Sequence, residues 1–175
     1  MSLKASVAYL IEKKKVIHGK KAFQKYMYFL DAVGVPTPLV FRMYHYGPYS
    51  SKLDYESDYL ELVGAIKIEK NNDRYGYVIK AGHRVKEILD EEKQFIKIYK
   101  DKMDKIIDSL PDDPRQLELW STTHFVARTL QKYYDVFSKS KVAMEVKKIK
   151  KDKFTEQEIK HAYEQLVQKS LISTN

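Results

Sequence analysis

The segment 20–77 constrains the fold most, because its hydrophobic period changes type in a fixed order. In KKAFQKYMYFLDAVG, apolar residues recur at steps of three and four, which predicts an amphipathic helix over 20–33. Bulky, strand-favouring residues predict a short strand over 41–46. A further helix is predicted over 51–63, where a serine at its start can accept a hydrogen bond from the first-turn amides.

An alternation with a period of two follows these helices and predicts a β-hairpin. Ile66 and Ile68 alternate with charged residues before an Asn-Asn-Asp turn, and Tyr75, Tyr77 and Ile79 alternate after it. Helix, strand, helix and hairpin in this order are typical of a winged helix-turn-helix. The hairpin is then the wing, and the helix before it takes the place of the recognition helix.

The remainder of the chain is predicted to be helical. One helix over 4–15 comes first, and a long helix over 82–109 follows the hairpin. The long helix permits a homodimer seam, but Glu92 interrupts its apolar stripe, so packing within the chain is the alternative. We predict a mainly α fold with a small β-hairpin: a winged helix-turn-helix over 1–81 and a helical extension over 82–175.

Several classes of protein are disfavoured by what the sequence lacks. There is no cysteine, which excludes disulfides, thiolate zinc sites and cysteine nucleophiles. No apolar run approaches the roughly 18 residues of a transmembrane helix. The N-terminus has no apolar signal-peptide core before its lysines. We therefore expect a cytoplasmic protein that does not span or bind a membrane.

No local pattern indicates catalysis. The five histidines show no metal-ligand spacing, and the six glycines are scattered singly, so no phosphate-binding loop is present. The serines after the turn at 47–48 lack a nucleophile-elbow motif and are explained as helix caps. We expect no enzyme, metal or cofactor. A deep pocket that places His45 or His124 beside a carboxylate would revive an enzymatic hypothesis.

The formal charge of +8 favours nucleic-acid binding only in part, because the charge is concentrated in two segments. Segments 1–21 and 139–153 each carry +5, whereas the helix over 51–63 has one lysine against four acidic residues. Those carboxylates disfavour the usual pose of a recognition helix between phosphate backbones. The alternative hypothesis is a DNA-binding transcriptional regulator that uses its wing and C-terminal lysines, namely Lys70, Arg74, Lys147, Lys148, Lys150 and Lys151.

Tyrosines cluster around the GPYSS turn and favour a protein partner. Five of them lie within 16 residues, and tyrosine is enriched where proteins meet because its apolar ring carries a polar tip. Some of these rings will instead close the small core. The leading hypothesis is a non-enzymatic regulatory module that docks a protein through its third helix. The predicted docking residues are Tyr46, Tyr49, Tyr55, Asp58, Tyr59 and Glu61.

Four segments carry a family likeness: GKKAFQKYMYFL, YHYGPYSSKL, an ELVGAIK strand entry and a Y-x-Y strand. In these segments the chain resembles the YwgA-like winged-helix proteins. The likeness covers 18–80. Its most specific part is the combination of the KKAFQK helix start with the YGP turn that opens the third helix. The chain is more distantly similar to the Panacea domain of bacterial and phage antitoxins. That similarity implies binding through protein contacts, although the longer helical C-terminus departs from the Panacea pattern. Neither resemblance implies catalytic residues.

Overall fold

The computed structural model describes residues 1–174, and within that range the protein is mainly helical, with eight α-helices and two small antiparallel sheets. The predicted fold class is therefore confirmed. A single 3₁₀ turn, Lys151–Lys153, lies between the last two helices. The elements in chain order are α1 (Leu3–Lys14), β1 (Val16–His18), α2 (Lys20–Ala32), β2 (Arg42–Tyr44), β3 (Gly47–Tyr49), α3 (Ser51–Leu62), β4 (Ile66–Lys70), β5 (Tyr77–Ala81), α4 (Val85–Glu91), α5 (Lys93–Ser109), α6 (Pro114–Tyr134), α7 (Lys139–Lys150) and α8 (Glu156–Gln168).

The chain forms two compact units. The first contains Met1–Arg42 and Tyr49–Leu110, and the second contains Met43–Pro48 together with the described residues from Pro111 onward. The sequence had predicted a division between residues 81 and 82. In the structure α4 and α5 belong to the first unit, because α4 packs against α1 and α5 packs against both α1 and α2.

The sheet of the first unit has the order β1-β5-β4, with both pairs antiparallel. Ile79 on the central strand faces Ile17 on one side and Ile68 on the other. The hairpin of β4 and β5 was predicted, but β1 was not, because three residues after a lysine run give too short a pattern to detect. Tyr75 lies in the turn before β5, where its amide donates to Asp73 Oδ1 at 2.8 Å.

The predicted continuous helix over 82–109 is wrong, because the helix breaks at Glu92. The backbone there has φ −99° and ψ 17°, and Lys4 pairs with Glu91 at 3.2 Å and with Glu92 itself at 3.8 Å. Each half buries its apolar face within the first unit, at Val85 and Ile88 in α4 and around Ile106 in α5. The apolar stripe that suggested a dimer seam is thus largely covered by the chain itself.

The second unit consists of α6, α7 and α8 packed on one another. Asp113 caps α6, since its carboxylate accepts a hydrogen bond of 2.9 Å from the amide of Gln116. Thr155 and Glu158 form a reciprocal capping box at the start of α8. Phe154 lies in the core of this unit.

None of the helices over residues 1–174 is long and apolar enough to cross a lipid bilayer.

Candidate protein-docking site

The start of α3 is held by a pair of buried hydrogen bonds. The side chain of Gln24 donates to the carbonyl oxygen of Ser50 at 3.0 Å and accepts from the amide of Ser50 at 2.9 Å. Ser50 is the N-cap residue, and its hydroxyl accepts from the amide of Leu53. Because the backbone N–H and C=O of Ser50 are both satisfied away from water, the position of the first turn of α3 is fixed by α2.

One face of α3 is buried in the first unit. Leu53 and Leu60 are fully buried, and Ser57 between them donates its hydroxyl hydrogen to the carbonyl oxygen of Leu53 at 2.9 Å. These residues are spaced by four and three positions, so they share one side of the helix. Burial of two leucines on this side determines which side of α3 faces outward.

The opposite face of α3 carries an exposed apolar stripe, which consists of Tyr55, Tyr59 and Leu62. Their exposed fractions are 84%, 52% and 82%. They too are spaced by four and three positions, which places them in one line along the helix. Single exposed apolar residues are normal on a protein surface, but three in one line on a short helix form a continuous contact surface.

Acidic residues surround this stripe. Asp54, Glu56 and Asp58 have no hydrogen-bond or ion-pair partner for their carboxylates among residues 1–174. The helix as a whole carries a formal charge of −3. The geometry therefore offers an apolar line with unneutralised carboxylates beside it, which suits a partner with an apolar anchor and a basic surround.

Only part of the predicted docking set lies on this face. Tyr55, Asp58 and Tyr59 are exposed as predicted, whereas Tyr49 is half-buried on β3 and Tyr46 belongs to the second unit. Glu61 is used within the fold, because its carboxylate accepts a hydrogen bond of 2.6 Å from the amide of Ile68. This contact corrects the prediction for Glu61: its carboxylate is bound to the middle of β4.

Leu62 was missed by the sequence interpretation, which did not include it among the docking residues. The available signal was its spacing: Leu62 is two positions after Leu60 and therefore points to the other side of the helix. It is also three positions after Tyr59 and continues the line of tyrosines.

The predicted DNA contacts of the wing are exposed. Lys70 ends β4, and Arg74 lies in the turn, where its guanidinium is 4.8 Å from the ring centre of Tyr75 and donates to the Tyr75 hydroxyl. Lys67 and Lys80 both pair with Glu69, which neutralises part of the hairpin charge. The wing therefore presents two cations, a small electrostatic footprint for DNA.

Lys150 was predicted as a DNA contact, and its burial contradicts this. Its side chain is only 2% exposed, and Nζ donates to Glu118 Oε1 at 2.7 Å and to the carbonyl oxygen of His45 at 2.9 Å. Glu118 also accepts from Lys153 at 2.7 Å through its other oxygen. A lysine held in this way has no donor available for a phosphate, so Lys150 anchors the tip of the β2–β3 hairpin within the second unit.

The neighbouring lysines are mostly engaged as well. Lys147 donates to the carbonyl oxygen of Phe154 at 3.0 Å, and Lys148 pairs with Glu145 at 3.0 Å. Lys151 is exposed at the end of α7, where its φ of 50° allows the chain to turn. The basic segment is therefore largely part of the intramolecular contacts of the second unit.

The two histidines considered for catalysis lie in different environments. His45 is exposed at the hairpin tip, with its ring 4.9 Å from that of Tyr44. His124 is buried on α6, and its Nε2 lies 3.0 Å from the carbonyl oxygen of Leu171, as expected of a hydrogen-bonded interior group. Burial lowers the pKa of His124 to about 3, with a further contribution from Arg128. Residues 1–174 contain no cluster of three histidine or carboxylate side chains that could hold a metal ion.

Comparison with protein-family models finds none that matches this chain, and comparison with curated protein sequences finds no significant match.

Proposed function

We propose that the first unit is a winged-helix regulatory module that docks a basic segment of another protein on α3. The observation that carries the proposal is the exposed line of Tyr55, Tyr59 and Leu62 beside unpaired carboxylates. The likeness to YwgA-like proteins enters the proposal for the fold alone, and the more distant likeness to the Panacea domain favours binding through protein contacts. No catalytic step is assigned to this surface.

The chemistry of the stripe explains why a protein is the preferred partner. Tyrosine rings supply large contact areas with few rotatable bonds, so little conformational entropy is lost when they are covered. Leu62 adds an aliphatic contact at one end of the line. The carboxylates of Asp54 and Asp58 would steer a partner rich in lysine or arginine towards the stripe and would disfavour an acidic one.

The same charges argue against α3 as a DNA-reading helix. A helix with charge −3 that enters the major groove brings its carboxylates close to two phosphate backbones. The DNA alternative would then depend on Lys70 and Arg74 of the wing, since Lys150 is buried and Lys148 is paired. DNA binding through the wing is therefore the alternative function, and the salt titration below tests it.

The decisive experiment places a photo-cross-linking amino acid at position 55 of the full chain, in the cells of its source. We expect a covalent adduct whose partner peptide carries an excess of lysine and arginine. Asp58→Lys should lower the adduct yield several-fold, because it reverses a charge beside the stripe. The control carries the cross-linker at Tyr133, which is 67% exposed but lies on α6. An equal adduct from position 133, or one that Asp58→Lys leaves unchanged, would contradict the proposal.

A salt titration separates the DNA alternative. Fluorescence anisotropy with a labelled random duplex would be recorded at about 50 and about 200 mM salt, a range over which phosphate contacts lose affinity steeply. We expect no binding at either concentration. Binding that weakens with salt and is lost in Lys70→Gln/Arg74→Gln would instead support the wing as a DNA contact and would displace the docking proposal.

A further inference from the structure

The second unit contains an open cavity of about 510 Å³ that its own side chains leave unfilled. The walls are mostly apolar and come from β2, α6 and α7: Met43, Phe125, Val126, Leu130 and Ile149. The cavity opens to solvent, so a ligand can enter it from the surface. Its volume lies in the range of sites that hold small organic ligands, roughly 300–1,000 Å³.

Two charged side chains complete the lining. Lys141 and Glu145 are one helical turn apart on α7 and form an ion pair of 3.2 Å. Glu145 is also paired with Lys148 at 3.0 Å, through the same carboxylate oxygen. These two lysines hold the pKa of Glu145 below its usual range, so the group of three charges has a net charge of +1 at neutral pH.

The arrangement allows Lys141 to change partners at low cost. If its ammonium group turns to a ligand, Glu145 keeps its contact with Lys148 and is not left unpaired. Lys141 also lies in the first turn of α7, where the helix dipole favours negative charge. An apolar cavity with one transferable cation at its edge selects for molecules with an apolar body and a single anionic end.

We propose that this cavity binds a small amphipathic carboxylate, with its apolar body against Val126 and Leu130 and its carboxylate on Lys141. The site lies wholly in the second unit and does not depend on the docking function proposed for α3. The proposal and the docking hypothesis can therefore fail separately.

The test titrates the isotope-labelled full chain with sodium octanoate and follows its methyl resonances. We expect saturable one-to-one binding, with the largest shifts at Val126, Leu130 and Ile149. Octan-1-ol has the same apolar body without the charge and should bind about tenfold more weakly, as expected for the loss of a charge-assisted hydrogen bond. Absence of methyl shifts with octanoate, or equal affinity for the alcohol, would overturn the proposal.

A matched pair of variants locates the carboxylate. Lys141→Gln should weaken octanoate about tenfold and leave octan-1-ol unchanged, since only the charged end loses its partner. Lys139→Gln removes a lysine of similar exposure on the same helix, but Lys139 pairs with Glu164 outside the cavity. We expect less than about a twofold change from it. If both variants weakened octanoate equally, the effect would be one of overall charge, and the assignment of Lys141 would be wrong.

Discussion

Helices α3 and α7 are alike in length and capping but use their charges in opposite ways. Each has 12 residues and begins after a serine that accepts a hydrogen bond from the third helical amide. On α3 three of the four carboxylates have no partner in the described part of the chain, and the apolar stripe faces outward. On α7 each of the five lysines has a partner within the second unit, from the exposed Lys148 to the buried Lys150.

The difference teaches that a count of charges does not identify a binding surface. The lysine-rich segment accounts for much of the positive charge and supported the DNA-binding alternative, yet its charges stabilise the second unit. The acidic helix lowers the net charge, and its carboxylates are the ones that we propose act in docking. We infer that docking of a protein partner depends mainly on charges without intramolecular contacts, because a paired charge must lose one contact to gain another. Lys141 is the exception on α7, since Glu145 keeps Lys148 when Lys141 turns to a ligand.

The largest expected effect comes from Lys150. Lys150→Met leaves the buried carboxylate of Glu118 with only Lys153 and removes a donor from the carbonyl oxygen of His45. Removing one partner of a buried ion pair costs about 3–5 kcal/mol of folding free energy. Because Glu118 keeps its contact with Lys153, we expect a loss of about 3 kcal/mol here. Urea unfolding of the full chain, monitored by the fluorescence of Trp120 in the second unit, measures the loss.

The matched control is Lys148→Met, on the same helix. Its ion pair with Glu145 is exposed, so the free energy of unfolding should change by less than about 1 kcal/mol. If the two variants destabilised the second unit equally, Lys150 would not be the buried anchor described, and α7 would differ less from α3 than we infer.

The sequence predicted the elements better than it predicted which side chains are available. Helical and strand periods depend on local chemistry, so α2, α3 and the β4–β5 hairpin were found, as was the mainly helical class. The interruption of the apolar stripe at Glu92 is visible in the sequence, but a helix break there was not predicted, because it depends on how both halves pack against α1. The roles of Glu61 and Lys150 were missed for the same reason, because each is determined by a partner distant in the chain or on another element.

The second prediction extends the comparison to a buried histidine. The pKa of His124 falls from its ordinary 6.5 to about 3 in the folded chain, mainly through burial. The unfolded chain therefore takes up a proton near pH 6.5 that the folded chain does not. Stability is highest above this pH and declines as the pH is lowered towards 3. Between pH 7.5 and pH 5 we expect a loss of about 2 kcal/mol, measured by urea unfolding at both pH values.

His124→Gln should remove most of this pH dependence, since glutamine does not titrate. The control is His161→Gln at an exposed position on α8, which should retain it. Carboxylates with lowered pKa, such as Glu158 at about 2, begin to lose their stabilising contribution near the lower end of this window, but they do so equally in the parent chain and in both variants, so the difference between parent and His124→Gln isolates His124. An unchanged stability between the two pH values in the parent chain would show that His124 is accessible to protons. The second unit would then hold this side chain in contact with solvent, as α3 holds its carboxylates.

The smallest expected effect is on α3 itself and tests the other half of the comparison. Leu62→Ala should change the free energy of unfolding by less than about 0.5 kcal/mol, because the side chain is 82% exposed. Leu60→Ala, two residues earlier on the buried face, should cost about 2–5 kcal/mol through the cavity it leaves. Urea unfolding of both variants gives the contrast. A substantial loss in Leu62→Ala would mean that Leu62 is covered by the chain itself in solution. The stripe would then be an internal contact of the chain. It is available to a partner only if Leu62→Ala changes the free energy of unfolding little.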